Sequence, residues 1–389
     1  MEVTVKQDPG KSIGEYFSEH FLAAPELTVT SPGRINLIGE HTDYNSGFVL
    51  PAAIDKSIQL SISKRADNII ELFSVDKNQA FSTSIDRMNV SGLLWPDYII
   101  GVADELLKAG YKFSGFSAAV TGNIPIGAGL SSSAALECAT VYALNELFGL
   151  GIDKMSMVKI AKLAENNFVG LQCGIMDMFA SMMGKSGKVI RLDCRSLAYE
   201  YFPLKIEGYK IVLLDTQVKH SLASSEYNTR RNECFEGVRQ IQVKYPSVQS
   251  LRDADESIIE ETIIDPLIKK RCLFVVQENK RVTEGCEDLV KGDLTAFGKK
   301  MYASHAGLRD NYEVSCGELD FIADECKKEK EVVGARMMGG GFGGCVIAIV
   351  KEEAIDRIVK KISKEYKNEM GRELKVYITQ LHNGTASAS

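Results

Sequence analysis

Four side chains that can bind or activate a hydroxyl group lie within ten residues near the start of the chain: Arg34, Glu40, His41 and Asp43. Carboxylates on a turn are suited to the vicinal hydroxyls of a sugar, because each carboxylate accepts several hydrogen bonds. The alternative is an ordinary charged turn in which Asp43 and Asn45 are the turn-forming residues. The residue types by themselves are compatible with both interpretations.

A second candidate, Asp177, is the one charged residue in the apolar stretch from Gly174 to Ser181. A carboxylate in such a setting must be paired or functional, because burying it unpaired costs several kcal/mol. Arg34 is a candidate partner, and such a pair could activate a hydroxyl nucleophile for phosphoryl transfer. A purely structural ion pair is the alternative.

A glycine-rich stretch from Gly122 to Ala135 leads into a predicted helix. The backbone N–H groups of such a turn, together with the positive end of the helix, favour an anion and above all a phosphate. The alternative is an ordinary turn with a serine N-cap. The stretch contains no Gly-Lys-Ser/Thr and is therefore not a Walker A loop, and a triple serine replaces the last glycine step of a dinucleotide fingerprint.

A metal site is a further interpretation of this region. A serine hydroxyl in the loop can bind Mg²⁺ or a phosphate oxygen, and Glu165 on the next predicted helix could complete the site. Taken alone, Glu165 is more typical of a solvated charge on a helix surface.

Hydrophobic spacing predicts the elements that carry these residues. Leu130, Ala134, Cys138, Val141 and Phe148 share one face of a helix that ends at the glycines 149 and 151. The other predicted helices are Gly14–Phe21, Tyr98–Ala109, Ile152–Phe168 with Asp153 as its N-cap, Ser225–Lys244, Leu267–Leu289, Leu294–Ala306 and Ala354–Lys367. The predicted strands are Leu27–Thr30, Ser57–Ile62, Asn68–Ser74, Phe116–Val120, Lys188–Leu192, Tyr209–Leu214, Val346–Val350 and Leu374–Thr379.

This mixed order of helices and strands predicts an α+β fold with two domains, residues 1–200 and 201–389, and glycine loops near their junction. The residues from Gly384 onward are predicted to form a loose tail.

Composition excludes several classes of protein. The 389 residues have a net charge of −6, which argues against a general binder of nucleic acid or anionic membranes. The N-terminus lacks the apolar core of a signal peptide, and no apolar run approaches the roughly 18 residues of a spanning helix. Nine dispersed cysteines are typical of free thiols in a cytoplasmic protein.

Three stretches make the chain similar to the GHMP kinase superfamily and, within it, to the galactokinase branch. They are Gly33–Pro51, which is specific to that branch, Pro125–Ala135, which identifies only the superfamily, and Gly334–Cys345. Supporting stretches are Cys173–Asp177, Asp193–Ser196, His220–Tyr227 and Tyr312–Asp320. The resemblance implies an N-terminal domain with the fold of the second domain of ribosomal protein S5, a C-terminal α/β sandwich, and an active site in the cleft between them.

The resemblance also implies ATP-dependent phosphorylation of the anomeric C1 hydroxyl of D-galactose to galactose 1-phosphate. Asp177 is then the expected catalytic base or electrostatic partner of O1, and Arg34 orients it and stabilises charge on the phosphoryl group. The residues expected to hold the sugar are Glu40, His41, Asp43, Gly174 and Tyr227.

The same resemblance places ATP and Mg²⁺ on the glycine-rich stretch. The residues expected around the phosphates are Gly127, Gly129, Leu130, Ser131, Ser132 and Ser133, with Ser132 and Glu165 as Mg²⁺ ligands. Trp95 is expected near the adenine, although a core or helix-start aromatic is an equal alternative. Gly339–Gly344 is expected to close the site from the second domain.

Some positions depart from the family pattern, Ser46 and Met178 among them, and none of them removes a catalytic group. A sister kinase acting on N-acetylgalactosamine or arabinose shares the same motifs. A non-catalytic sugar sensor is disfavoured, because Ser131–Ala135, Arg34 and Asp177 are intact. The expected partners are galactose and ATP, without nucleic acid or membrane, and the expected state is a monomer.

Overall fold

The computed structural model describes residues 10–125, 127–218 and 223–388. Ile126 and residues 219–222, which belong to two of the motifs above, lie outside this part. The helices are α1 (Ile13–Phe21), α2 (Trp95–Lys108), α3 (Ser132–Phe148), α4 (Lys154–Leu163), α5 (Met176–Met183), α6 (Ala223–Lys244), α7 (Glu256–Thr262), α8 (Pro266–Lys291), α9 (Leu294–Asp310), α10 (Gly317–Lys328) and α11 (Ile355–Met370).

The strands are β1 (Leu27–Asn36), β2 (Phe48–Val49), β3 (Pro51–Lys64), β4 (Ile69–Ser74), β5 (Gln79–Ser84), β6 (Phe116–Gly122), β7 (Lys188–Asp193), β8 (Tyr199–Pro203), β9 (Tyr209–Asp215), β10 (Val332–Met338), β11 (Cys345–Lys351), β12 (Lys375–Thr379) and β13 (Ala386–Ser387). Every strand and helix predicted from spacing is present, although β1 ends later, β3 begins earlier and α4 ends earlier than predicted, each by five or six residues. The α+β prediction is confirmed.

The first half of the chain builds a helix layer on a twisted sheet. Its sheet has the order β13-β1-β3-β6-β4-β5, in which only the β4–β6 pair is parallel. Helix α3 packs against β1 and β3, and α5 packs beside it. Because α3 is covered on nearly all sides, it buries small and apolar side chains all along its length.

The second half has its own sheet, with the antiparallel order β10-β11-β9-β12. Helices α9 and α10 pack against β10, and α8 packs between α6 and α9. A smaller sheet of β2, β7 and β8 lies against α8.

One hydrophobic cluster joins the two halves. Leu37 and Ile38, at the end of β1, share it with Leu213 of β9, Phe297 of α9 and Ile347 of β11, all fully buried. Removing this apolar surface from water favours a fixed arrangement of the halves. The end of β1 therefore lies inside the molecule, where the cleft walls meet.

Local signals in the sequence place several element ends correctly. Helix α3 ends at Gly149 with φ +63°, and the Asp153 carboxylate caps α4 by accepting from Met155 and Ser156 N–H. The prediction of one α-helix as far as Phe168 is wrong, because the backbone changes to a π-helix at Ala164–Val169. Such wide turns are often found at functional sites.

The prediction of a loose tail is wrong for the described residues. Ala386 and Ser387 form β13, which pairs with Thr30 and Val29 of β1. Thr385 is fully buried beneath it, and its hydroxyl contacts both the Ser181 carbonyl and the Ser31 hydroxyl. The end of the chain thus returns to the first sheet. Strand β8 lies across the predicted domain boundary at residue 200, which stays an interpretation.

Two predictions from composition can be compared with the structure. All nine cysteines lie in the described ranges and are free thiols, as predicted. No helix in those ranges is long and apolar enough to cross a membrane.

We expect Thr385→Val to lower the free energy of unfolding by about 1–3 kcal/mol, because it leaves the buried Ser31 hydroxyl without its partner. The Ser181 carbonyl loses the side-chain hydrogen bond and keeps the one from the Thr385 N–H. Urea unfolding measures the change. The control is Thr83→Val, whose hydroxyl bonds the Arg87 carbonyl at the surface, and it should cost less than about 0.5 kcal/mol. Equal midpoints for both variants would contradict the anchoring role of the tail.

Candidate active site

A cleft of about 550 Å³ contains most of the candidate residues, and this volume is typical of small-molecule sites. Its lining residues are Arg34, Glu40, His41, Asp43, Glu165, Gly170, Leu171, Gln172, Cys173, Gly174, Met176, Asp177, Tyr227, Asn228, Gly339 and Gly340. The glycines 339 and 340 come from the second half, so the cleft lies between the two halves as the resemblance implied.

Arg34 and Asp177 form a two-pronged ion pair at the wall of the cleft. Arg34 Nε lies 2.8 Å from Asp177 Oδ1, and Nη2 lies 3.0 Å from Oδ2. The Arg34 side chain is 7% exposed and that of Asp177 is 27% exposed. This geometry fixes the carboxylate plane and leaves one edge of it accessible from the cleft.

The serine loop, residues Gly127 to Ser133, is joined to this pair by hydrogen bonds. The Arg34 N–H donates to the Leu130 carbonyl at 3.1 Å, and the Arg34 guanidinium donates to the Gly129 carbonyl. A Cβ at Gly33 would lie 2.7 Å from the Leu130 carbonyl oxygen, so β1 and the loop can approach this closely only because residue 33 is glycine. The Leu130 side chain is buried in the core, which leaves only its backbone facing any ligand.

Ser131 occupies the N-cap position of α3 but does not cap the helix. Its backbone is left-handed, with φ +57°, and its hydroxyl donates to Asp177 Oδ2 and accepts from no N–H group of the first turn. The interpretation of an ordinary serine N-cap is therefore wrong. The first turn of α3 keeps its N–H groups free of a side-chain cap, as an anion site requires.

Glu165 lies in the π-helix and is 5% exposed, so its interpretation as a solvated surface charge is wrong. Burial raises the pKa of Glu165, although hydrogen bonds from Cys173 and Ser133 act in the opposite direction. Cys173 Sγ lies 3.0 Å from Glu165 Oε2. The serine that contacts Glu165 in this structure is Ser133, and the role of Ser132 as a Mg²⁺ ligand stays a prediction.

A divalent cation fits the chemistry of this corner. Serine hydroxyls and a buried carboxylate are hard oxygen donors of the kind that Mg²⁺ prefers, and Mg²⁺ usually takes few ligands from the protein. The described residues contain no cluster of three or more His, Cys, Asp or Glu that could hold a metal by themselves, and Mg²⁺ binding here stays a prediction.

The opposite side of the cleft carries Glu40, His41 and Asp43. Glu40 Oε1 accepts from Arg336 Nη2 at 2.7 Å and from the Gly339 N–H at 2.9 Å. Burial raises the pKa of Asp43 to about 6, and the charges of Asp177 and Glu40 act in the same direction. A Cβ at Gly174 would collide with the Asp43 carboxylate, so glycine is required there.

His41 is a neutral hydrogen-bonding group in this site. Burial lowers its pKa to about 4, despite the neighbouring charge of Glu40. Nδ1 lies 2.8 Å from the Tyr44 hydroxyl, which in turn lies 2.8 Å from the Tyr312 hydroxyl. Nε2 is buried and makes no hydrogen bond of ordinary geometry among the described residues, although a backbone contact with Gly340 acts to raise the pKa of the ring.

Aromatic rings close this end of the cleft. The Tyr227 ring contacts Tyr44 edge-on, with centroids 5.2 Å apart, and lies 5.4 Å from the His41 ring. Burial raises the pKa of the Tyr227 hydroxyl well above its usual value, so the group is protonated. A ring wall with hydroxyl groups at its edge is typical of sites for polyhydroxylated ligands.

Trp95 lies away from the cleft lining. It is 7% exposed in the core of the first half, and its indole N–H donates to Gln79 Oε1 at 2.7 Å. This placement agrees with a core aromatic at a helix start, so its adenine role stays a prediction.

Sequence reasoning missed Tyr44, Tyr312 and Arg336. Tyr44 lies inside the first motif and Arg336 inside the third, so motif membership was a signal for both. No sequence spacing connects Arg336 to Glu40, because the two residues are 296 positions apart.

The chain matches three family models. These are the GHMP kinases N terminal domain over residues 97–185, the galactokinase galactose-binding signature over residues 15–64, and the GHMP kinases C terminal over residues 287–368.

Whole-chain relatives agree with the family matches. The chain is 45% identical to a galactokinase of Thermotoga maritima over 90% of its own length and 96% of the relative's. It is 42% identical to a galactokinase of Fusobacterium nucleatum over 91% and 93% of the two chains.

Solved structures show the same fold. The crystal structure of Lactococcus lactis galactokinase complexed with galactose superposes with a TM-score of 0.91 at 36% identity, covering 96% of this chain and 98% of the other. The Methanococcus jannaschii mevalonate kinase reaches 0.67 at 18% identity, over 92% and 98%, which supports the fold alone.

The raised pKa of Asp43 predicts a pH-dependent stability. Ionised Asp43 is disfavoured in the folded protein, so the native chain loses this contribution as the pH rises from 3.8, the ordinary pKa, through about 6. We expect Asp43→Asn, measured without ligand, to be more stable than the native protein by about 1–2 kcal/mol at pH 8 and nearly equal at pH 4. Urea unfolding at both pH values measures this difference.

The measurement at pH 4 is the internal control for this comparison, because the Asp43 carboxyl group is largely protonated there in the folded protein. An Asp43→Asn effect that is the same at the two pH values would show that Asp43 does not titrate in this window.

Proposed function

The chain belongs to the galactokinase family of the GHMP kinases, and we propose that it phosphorylates the anomeric C1 hydroxyl of D-galactose with ATP, giving galactose 1-phosphate and ADP. One observation carries this proposal. The two-pronged Arg34–Asp177 pair, with Ser131 attached to it, lies in one cleft with Glu40, His41 and Asp43. A base and a phosphate loop thus meet at a site built for hydroxyl groups.

We propose that Asp177 accepts the proton of the sugar hydroxyl. Arg34 and Ser131 use part of the acceptor capacity of the carboxylate, and the remaining lone pairs can accept a hydroxyl proton. As the bond between O1 and the γ-phosphorus forms, the bond to the β-phosphate oxygen breaks and ADP leaves. The charge of Arg34, fixed beside both groups, stabilises the transferring phosphoryl group.

The phosphates of ATP are assigned to the loop from Gly127 to Ser133. The backbone is left-handed at Gly127, Gly129 and Ser131, which changes the direction of the successive N–H groups. Helix α3 begins directly after Ser131. Gly339–Gly344 faces the same cleft with two of its glycines. Left-handed φ values at Gly339 and Gly341 allow this backbone to approach a ligand closely.

We propose that Mg²⁺ binds between the serine loop and Glu165. Ser132 is the ligand predicted from the sequence, and the hydrogen bond between Ser133 and Glu165 makes Ser133 a second candidate. When bound, Mg²⁺ neutralises charge on the β- and γ-phosphates.

The free thiols and the use of ATP suit a cytoplasmic enzyme, and we propose that this enzyme acts as a monomer.

The sugar is assigned to the side of the cleft that holds Glu40, His41, Asp43, Gly174 and Tyr227. Two carboxylates can accept from hydroxyls, and the neutral His41 ring lies beside them in the lining of the cleft. A site that pairs several hydroxyls rejects analogues lacking one of them, because its own polar groups are then left unsatisfied.

An assay of ADP release tests the proposed function. Purified protein is supplied with Mg²⁺, ATP and one sugar from a panel that contains galactose, N-acetylgalactosamine, arabinose and glucose. We expect turnover with galactose and loss of turnover when EDTA removes the metal. Activity confined to N-acetylgalactosamine or arabinose would overturn the substrate, and no activity with any sugar would overturn the kinase assignment.

We predict that Asp177→Asn lowers kcat by a factor of about 10² or more with a modest change in galactose affinity, because it removes the proton acceptor and keeps the shape of the site. Steady-state kinetics and galactose titration give the two values. Asp104→Asn, which breaks a surface pair with Lys108 on α2, is the control and should leave kcat unchanged. A near-normal kcat in Asp177→Asn would end the catalytic assignment.

A further inference from the structure

We propose that Arg336, on β10 of the second half, is a positioning residue that orients Glu40 for the sugar. The inference rests on the proposed function, because it concerns the sugar side of that site. Arg336 is fully buried and does not line the cleft, so it acts through Glu40 and not by touching the ligand.

All three guanidinium nitrogens of Arg336 donate hydrogen bonds. Nε donates to the Leu37 carbonyl at 2.6 Å, Nη1 donates to the Met337 carbonyl at 2.7 Å, and Nη2 reaches both the Asn36 carbonyl at 2.6 Å and Glu40 Oε1 at 2.7 Å. Two of these partners are the last carbonyls of the β1 region, directly before the turn that carries Glu40. The planar fork therefore fixes the backbone and the carboxylate together.

The two carboxylate oxygens of Glu40 have different surroundings. Oε1 accepts from Arg336 and from the Gly339 N–H, whereas among the described residues no hydrogen bond reaches Oε2. Glu40 lines the cleft and its side chain is 4% exposed. One oxygen is thus held by the second half, and the other is left for a hydroxyl donor in the cleft.

The charge balance supports this role. Burial of Glu40 is tolerated because a fully buried cation lies beside it, and removing the cation would leave an uncompensated carboxylate in the sugar site. Gly339 is the first residue of the loop Gly339–Gly344, so the same carboxylate oxygen also connects the sugar side of the cleft to that loop. A lysine at position 336 keeps the charge but cannot reach four carbonyl and carboxylate oxygens in one plane.

A double-mutant cycle tests the proposal. Galactose Kd is measured by calorimetry without ATP for the native protein, Arg336→Lys, Glu40→Gln and the double variant. We expect each single change to weaken binding about tenfold, and the double variant to be about as weak as Glu40→Gln alone, because both changes remove one interaction. If the two residues acted independently, their effects on galactose Kd would multiply to a loss of about a hundredfold, and this result would overturn the proposal.

Arg271→Lys is the matched control. Arg271 is also fully buried and holds Glu233 and Glu313, without any contact to Glu40. Its effect on galactose Kd should multiply with that of Glu40→Gln. Steady-state kinetics add a second readout: Arg336→Lys should raise KM for galactose about tenfold and change KM for ATP less than about threefold, whereas a general loss of structure would raise both.

A measurement on proteins that keep Arg336 covers the case in which Arg336→Lys does not fold. The side-chain N–H signals of Arg336 and Arg271 are followed by ¹⁵N NMR, and Arg271→Lys distinguishes the two. Galactose should shift the Arg336 signals in the native protein, and Glu40→Gln should abolish that shift. Arg336 signals that stay unchanged at saturating galactose would overturn the proposal. Absence of galactose binding by the native protein would instead overturn the proposed function.

Discussion

The structure depends on the burial of one polar segment, Gly33 to Asp43, at the place where the two halves meet. Its backbone and side-chain polar groups have largely left water, and each one that stays unpaired costs free energy. Asp177 and the serine loop satisfy Arg34 from the first half. Arg336 satisfies the Asn36 and Leu37 carbonyls and Glu40 from the second. The side chains proposed to act in catalysis and sugar binding are thus held by the same contacts that let β1 end inside the protein.

Helix α8 provides the third support of this segment. Glu278 accepts from the Gly39 N–H at 2.8 Å, and Asn279 accepts from the Phe48 N–H at 2.8 Å, so the helix holds both ends of the turn. Although burial disfavours its charge, Arg281 lowers the pKa of Glu278, which is therefore ionised as it accepts. Gly39 has φ +95°, a conformation open to glycine, and the turn can reverse tightly there. The apolar cluster shared by the two halves keeps α8 in place against β2 and β8.

The cleft is acidic, and its charges are divided between two kinds of partner. Arg34 and Arg336 neutralise Asp177 and Glu40 within the protein. Burial raises the pKa of Glu165 and of Glu137, and neither carboxylate has a cation beside it among the ion pairs of the described residues. The phosphates of the proposed substrate would add negative charge, which a bound Mg²⁺ offsets at Glu165. In the proposed function, Arg34 and Arg336 would therefore compensate the carboxylates beside the sugar, and Mg²⁺ would compensate charge at the phosphates.

The sequence by itself determined most of the helices and strands, the Gly149 stop and Asp153 cap of the helices around the loop, and many of the residues that line the cleft. These features depend on neighbours a few positions apart or on motifs read as units, so a single chain carries them. Only the tertiary structure decided that Ser131 bonds Asp177 instead of capping α3, that Glu165 is buried, that Ala386 and Ser387 pair with β1, and that Arg336 holds Glu40. Each of these depends on which distant segment lies opposite a buried polar group, and that group takes whatever partner the packing brings within about 3 Å.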